Sequence, residues 1–116
     1  MALGTRGNQP QAPGLTAPAP SKTMIIYEDT FTTRLGTDFK FAFDFNDGCF
    51  EIHILEQPSY GGRDDNNHLT HRIATDSGFK ICWTGELRNL AEAKAVSAKW
   101  ACLTEAYILK GEPFPS

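Results

Sequence analysis

The chain has 116 residues, of which 41% are apolar and 22% charged, with a net charge of −3 and a pI near 5.5. These values suit one ordinary globular domain. They exclude a general electrostatic attraction to nucleic acid or to an anionic membrane surface, and no run approaches the roughly 20 apolar residues that a membrane helix needs.

Residues 1–22 stand apart. They hold four of the seven prolines and three glycines, with no aromatic side chain and no apolar period. Such a segment cannot bury enough apolar surface to offset its ordering entropy. It reads as a flexible Pro/Gly/Ala-rich arm, partly polyproline-like around Ala17-Pro18-Ala19-Pro20. It also lacks the continuous apolar stretch of a secretory signal. Residues 23–116 are expected to form a single α+β domain.

From residue 24 to 35, MIIYEDTFTTRL is rich in β-branched and aromatic residues and reads as a strand, with Ile25, Tyr27 and Phe31 on one face. Gly36-Thr37-Asp38 then turns the chain into its most informative stretch, FKFAFDFNDGCFEIHILE at 39–56. Phe39, Phe41, Phe43 and Phe45 alternate with small or charged residues, and Phe50, Ile52 and Ile54 do the same beyond Asn46-Asp47-Gly48. A two-residue Asp47-Gly48 turn sets Phe45 opposite Phe50, Phe43 opposite Ile52 and Phe41 opposite Ile54, so every large apolar group shares one face. The same register sets Asp44 directly against Glu51 on the other face, with His53 two residues along. Like charges in that position destabilise unless something neutralises them. The trio can be a site, or an exposed sheet edge where charge discourages pairing, and the edge is the expectation.

Pro58 ends this hairpin. Gln57 to Asn67, QPSYGGRDDNN, has no period, two adjacent glycines and many turn formers. A loop of about eleven residues inside a compact domain is long, and loops of that kind are often functional. Next, Leu69, His71 and Ile73 alternate with His68, Thr70 and Arg72, and Phe79, Ile81 and Trp83 with Lys80, Cys82 and Thr84. Joined by a three-residue Asp76-Ser77-Gly78 loop, they form a second hairpin with Ile73 opposite Ile81 and His71 opposite Trp83.

The chain ends in a helix from about 90 to 110. Asn89 is its N-cap, Glu92 completes a capping-box pattern, and Gly111 and Pro113 stop it. Ala93, Val96, Trp100, Leu103 and Tyr107 form one apolar stripe that packs on a sheet. The expected architecture is thus an antiparallel β-meander of about five strands with one long C-terminal helix on one face. One helix is narrower than five strands, so either the sheet coils around it or a second copy covers the rest. A homodimer is expected on that ground.

Strands followed by a C-terminal helix are similar in outline to double-stranded-RNA-binding domains and to antitoxins of the HicB type. The first begins its last helix with a lysine cluster, where this chain has Leu90-Ala91-Glu92-Ala93-Lys94. The second carries a proline–glycine–cysteine turn, where this chain has Trp83-Thr84-Gly85-Glu86. The chain is assigned to neither family.

Cys49, Cys82 and Cys102 form no CxxC pair and are odd in number. They are read as free thiols in a reducing, cytoplasmic setting, at least two of them buried. His68-Leu69-Thr70-His71 places its two imidazoles on opposite sides of a strand, which argues against a shared metal ion. No metal and no cofactor is expected. The densest polar cluster is in the 57–68 loop. Tyr60, Arg63, Asp64, Asp65, His68 and His71 are the candidate ligand-binding residues, since they offer charge, hydrogen bonds and a glycine pair that admits close approach. The expected function is binding of a small polar ligand or a protein partner. The alternative is a small hydrolase or lyase that uses His68 or His71 with Asp64 or Asp65 for acid–base work. A nucleic-acid-binding accessory role is the weakest of the three.

Overall fold

In a computed structural model of the chain, residues 24–115 are described. The arm expected over residues 1–22 lies outside them. The elements are β1 (Met24–Thr32), β2 (Asp38–Asn46), β3 (Cys49–Glu56), α1 (Asn67–Thr70), β4 (Arg72–Thr75), β5 (Gly78–Ile81) and α2 (Leu90–Lys110). The five strands form one antiparallel sheet in the order β1-β2-β3-β5-β4. The fold is α+β, a meander-like sheet with one long C-terminal helix. No helix among the described residues is long and apolar enough to cross a membrane.

The β2–β3 hairpin has the expected register: Phe45 pairs with Phe50, Phe43 with Ile52 and Phe41 with Ile54. Asp47 and Gly48 both take positive φ, 54° and 82°, the geometry of a two-residue turn that matches strand twist. β1 adds on the other side of β2, with a register shift between Ile25 and Tyr27 that the alternation does not signal.

Helix α2 follows from its ends inward. Asn89 Oδ1 accepts from Glu92 N at 2.9 Å, while Glu92 Oε1 accepts from Arg88 N at 3.1 Å. At the far end Gly111 adopts φ 73° and its N–H donates to Tyr107 O at 2.8 Å, an αL cap. The helix lies over β2 and β3. Phe39, Phe41 and Phe43 are at most 1% exposed beneath it. Trp100 meets Phe39 and Phe41 edge-on, at centroid distances of 5.9 and 6.0 Å. Burying each of these rings contributes roughly 1.5–3 kcal/mol, so the stripe and the Phe face are the main source of stability.

The second hairpin departs from expectation in two ways. Residues 67–70 are a helical turn, not a strand. Asn66 caps it, its Oδ1 accepting from His68 N at 2.8 Å and Leu69 N at 3.3 Å. His71 ends it at φ 53°. Trp100 Nε1 donates to Thr70 O at 3.0 Å, which ties the turn to the helix. The hairpin itself closes on Asp76-Ser77 alone, with Thr75 opposite Gly78, Ala74 opposite Phe79, Ile73 opposite Lys80 and Arg72 opposite Ile81. The strand has slipped by one residue, and a slip of one exchanges the faces. Ile73 therefore points away from the helix at 42% exposed, while Arg72 points toward the core at 8%.

Coverage of the sheet is shared between the helix and the 57–65 loop. Tyr60 is buried, its ring 6.1 Å from Tyr107 on α2, and it lies against Arg72 of β4. The cysteines are free, but none is buried: Cys49 is half-buried, and Cys82 and Cys102 are exposed. Cys102 follows buried Ala101 on the solvent side of the helix, and Cys82 lies just past the end of β5.

Candidate functional site

The loop after β3 is long, yet it is held. Gly61 and Gly62 take φ of 61° and 92°, which lets the chain reverse tightly after Tyr60. Arg63 Nε then donates to Ile108 O at 3.2 Å, one of the carbonyls left free at the end of α2. Its guanidinium lies so close to Gly111 that a Cβ there would stand 2.8 Å from Nη1. Tyr107 Oη donates to Asp64 O at 2.6 Å. Asp64 Oδ1 accepts from Asn66 N at 3.0 Å, an Asx turn that leads into α1. The helix C-terminus thus fixes the loop in the middle, and Asn66 fixes its end.

What this leaves is a solvent-open concavity of roughly 540 Å³ between the loop and β4. It is within the size range of ligand sites. Of the six residues expected from sequence, Tyr60, Arg63, Asp64 and Asp65 line it. His68 and His71 do not. His68 is exposed on the α1 turn. The His71 ring stacks on Phe114 at 4.6 Å and belongs to a separate small apolar groove with Trp83 and Trp100. Neither histidine forms an ion pair with Asp64 or Asp65. Among the described residues, no three His, Cys, Asp or Glu side chains come together to hold a metal ion.

Arg72 completes the concavity, and the sequence pattern assigns it to the wrong face. Its guanidinium carbon lies 3.6 Å from the Phe79 ring centroid and 4.9 Å from that of Tyr60. Nη1 donates to Gln57 Oε1 at 3.0 Å. No carboxylate among the described residues pairs with it, and its buried Nε has no acceptor. The buried hydroxyl of Tyr60 has no partner either. A buried arginine without a carboxylate is rare, because ionised groups are costly to bury unpaired. Nothing in the local sequence signals it, since the alternation puts Arg72 on the face opposite Ile73 and Ile81.

A second polar cluster sits on the face away from the helix. Asp44 and Glu51 are directly opposite, as the hairpin register requires. Each finds its own neighbour: His53 Nε2 lies 2.7 Å from Asp44 Oδ2, and the Lys80 ammonium Nζ 3.1 Å from Glu51 Oε2. The His53 approach is close without being a well-aligned hydrogen bond. The exposed-edge expectation fails here, because β2 and β3 are interior strands and Asp44 is buried. On the helix-facing side, Lys94 Nζ lies 3.4 Å from Asp29 Oδ2 and 4.9 Å from the Tyr27 ring centroid. The Asp29 carboxylate, with Tyr27 beside it, holds this lysine above its ordinary pKa.

Comparison with protein-family models, with curated proteins and with solved structures finds no match.

Proposed function

We propose that the protein acts by binding, and that the concavity of the 57–65 loop takes a small polar ligand. One observation carries this reading: a long polar loop is anchored at Arg63, Asp64 and Asn66, yet leaves an open hollow instead of collapsing onto the sheet. An anchored loop loses little entropy when a ligand arrives, which is what a binding surface requires. The hydrolase or lyase alternative lacks support from geometry, since neither His68 nor His71 is paired with Asp64 or Asp65.

The test is amide chemical-shift mapping during titration with a panel of small polar metabolites. The reading expects saturable shifts clustered at residues 57–65 and Arg72. Saturable binding whose shifts fall elsewhere, and which survives alanine replacement of Asp64 and Asp65, would refute it. We also propose self-association into a homodimer. It is supported by Ile73 and Trp83, 42% and 46% exposed, which line one cleft of roughly 240 Å³ away from the loop. Sedimentation should then show a dimer that Ile73→Lys dissociates, whereas a monomer at all concentrations would remove the idea.

A further inference from the structure

Arg72 is a buried cation with few partners. Among the described residues, the one acceptor its five N–H donors find is Gln57 Oε1. Phe79 and Tyr60 offset its charge through their π faces, but a ring offers N–H donors no lone pair of comparable strength. Nε is buried with no acceptor, and the Tyr60 hydroxyl is buried with none. Arg72 and Tyr60 are 8% and 9% exposed, and both line the loop concavity. Two shielded polar groups that both lack an acceptor, one of them cationic, describe the complement of an anionic oxygen group.

We infer that the loop concavity recognises an anionic oxygen group, a carboxylate or a phosphate, which the Arg72 guanidinium and the Tyr60 hydroxyl hold. This rests on the loop concavity being the ligand site, and it names the chemistry the site selects. A guanidinium edge matches the spacing of two oxygens on one carbon or phosphorus, so the contact can be bidentate. Nε and the hydroxyl are shielded, so the anion reaches them by a small displacement of the lining that leaves the anchors at Arg63, Asp64 and Asn66 in place. The lining also limits the ligand. Arg63 and Arg72 are balanced by Asp64 and Asp65, so the concavity has no formal net charge and no general attraction for a polyanion. A small ligand with one anionic group fits better than a nucleic-acid backbone.

The experiment uses the full chain at constant ionic strength, titrated with sodium acetate, with inorganic phosphate, with sodium chloride and with uncharged acetamide. The Arg72 Nε–H resonance and the amides of residues 57–65 are followed. The inference expects saturable shifts of Arg72 Nε–H with acetate, phosphate or both, and none with acetamide or chloride; the stronger of the two anions identifies the source. Tyr60→Phe should weaken the response about tenfold, the effect of losing a hydrogen bond to a charged group. Arg72→Lys should weaken it more, because charge is kept and the fork is lost. If the loop amides respond to acetamide while Arg72 Nε–H responds to neither acetate nor phosphate, the anion inference fails and the loop remains a site. Should none of the solutes move the loop amides, both readings fall. A linear, unsaturated response equal for chloride and acetate is non-specific anion contact alone and also overturns the inference. The wild-type Nε–H signal keeps the test decisive even where a variant fails to fold.

Discussion

Replacing Arg72 by methionine should leave the ligand-free protein as stable as before, or make it more stable. The guanidinium gains one hydrogen bond to Gln57, worth roughly 1.5–3 kcal/mol because the donor is charged. It gains two ring contacts of about 0.5–2 kcal/mol each. Against this stand a shielded Nε donor without an acceptor, at about 1–3 kcal/mol or more, and several kcal/mol for taking the ion out of water. The two sides nearly cancel. Methionine keeps most of the buried stem and adds sulfur–aromatic contact with Phe79 and Tyr60, about 0.3–1.5 kcal/mol. Arg72→Met is therefore expected to change stability by between zero and about +2 kcal/mol, where a typical substitution destabilises by about 1. Urea denaturation without added anion measures it, since 1 kcal/mol moves the midpoint by roughly 0.3–1 M at ordinary slopes. Added acetate or phosphate should shift the difference toward wild type by a further amount set by binding. At ten times its dissociation constant, a ligand that binds only the folded state stabilises wild type by about 1.4 kcal/mol and the variant not at all. If Arg72→Met loses more than about 2 kcal/mol in anion-free buffer, the guanidinium is already well satisfied, and the physical case for an anion falls with it.

Three further outcomes are expected. Gly111→Ala should cost about 1 kcal/mol or more, because φ is 73° and the new Cβ meets Arg63; loop amide shifts together with a lowered urea midpoint would check it. Tyr107→Phe removes the bond to Asp64 O at a cost of about 1 kcal/mol, and should speed hydrogen exchange at residues 61–66 while leaving exchange in β2 and β3 unchanged. Lys94 is held above its ordinary pKa of 10.5, first by its bond to Asp29 and then by Tyr27, so its contribution is complete below that value and is lost as pH rises through the elevated one. The stability gap between wild type and Lys94→Met should then be constant from pH 6 to 9 and close at higher pH; a gap that stays open as the lysine loses its proton would contradict the pairing.

The parts of the fold legible in the sequence are those whose signals are local. Asp47-Gly48 both permits and requires the turn that pairs Phe43 with Ile52, and the parity of the flanking residues agrees with it. Asn89, Glu92 and Gly111 mark the ends of α2 within a residue, because each acts on backbone groups a turn away. The second hairpin has no such agreement. Leu69, His71 and Ile73 counterfeit a strand face, but residues 67–70 are coiled by the Asn66 cap and held by Trp100, thirty positions along the chain. No window short enough to show alternation contains that bond. Once the turn forms, β4 begins at Arg72, and its residues alternate from a starting point one removed from the apparent one.

That displacement bears directly on function. In the register the alternation suggests, Ile73 would face Ile81 and Arg72 would face water, with every local preference satisfied. In the observed register Ile73 is half exposed and an unpaired arginine is buried between two rings. The exchange costs apolar burial at one position and ion desolvation at the next, a local conflict that tertiary contacts must outweigh. Conflicts of this sort are expected where a site is built, since a group left unsatisfied in the free protein is one that a ligand can satisfy. Moving the register back would remove the conflict and the receptor together. Lengthening the Asp76-Ser77 turn by one glycine tests this: if the loop amides still respond to acetate or phosphate with Arg72 returned to solvent, the inward register is incidental to binding.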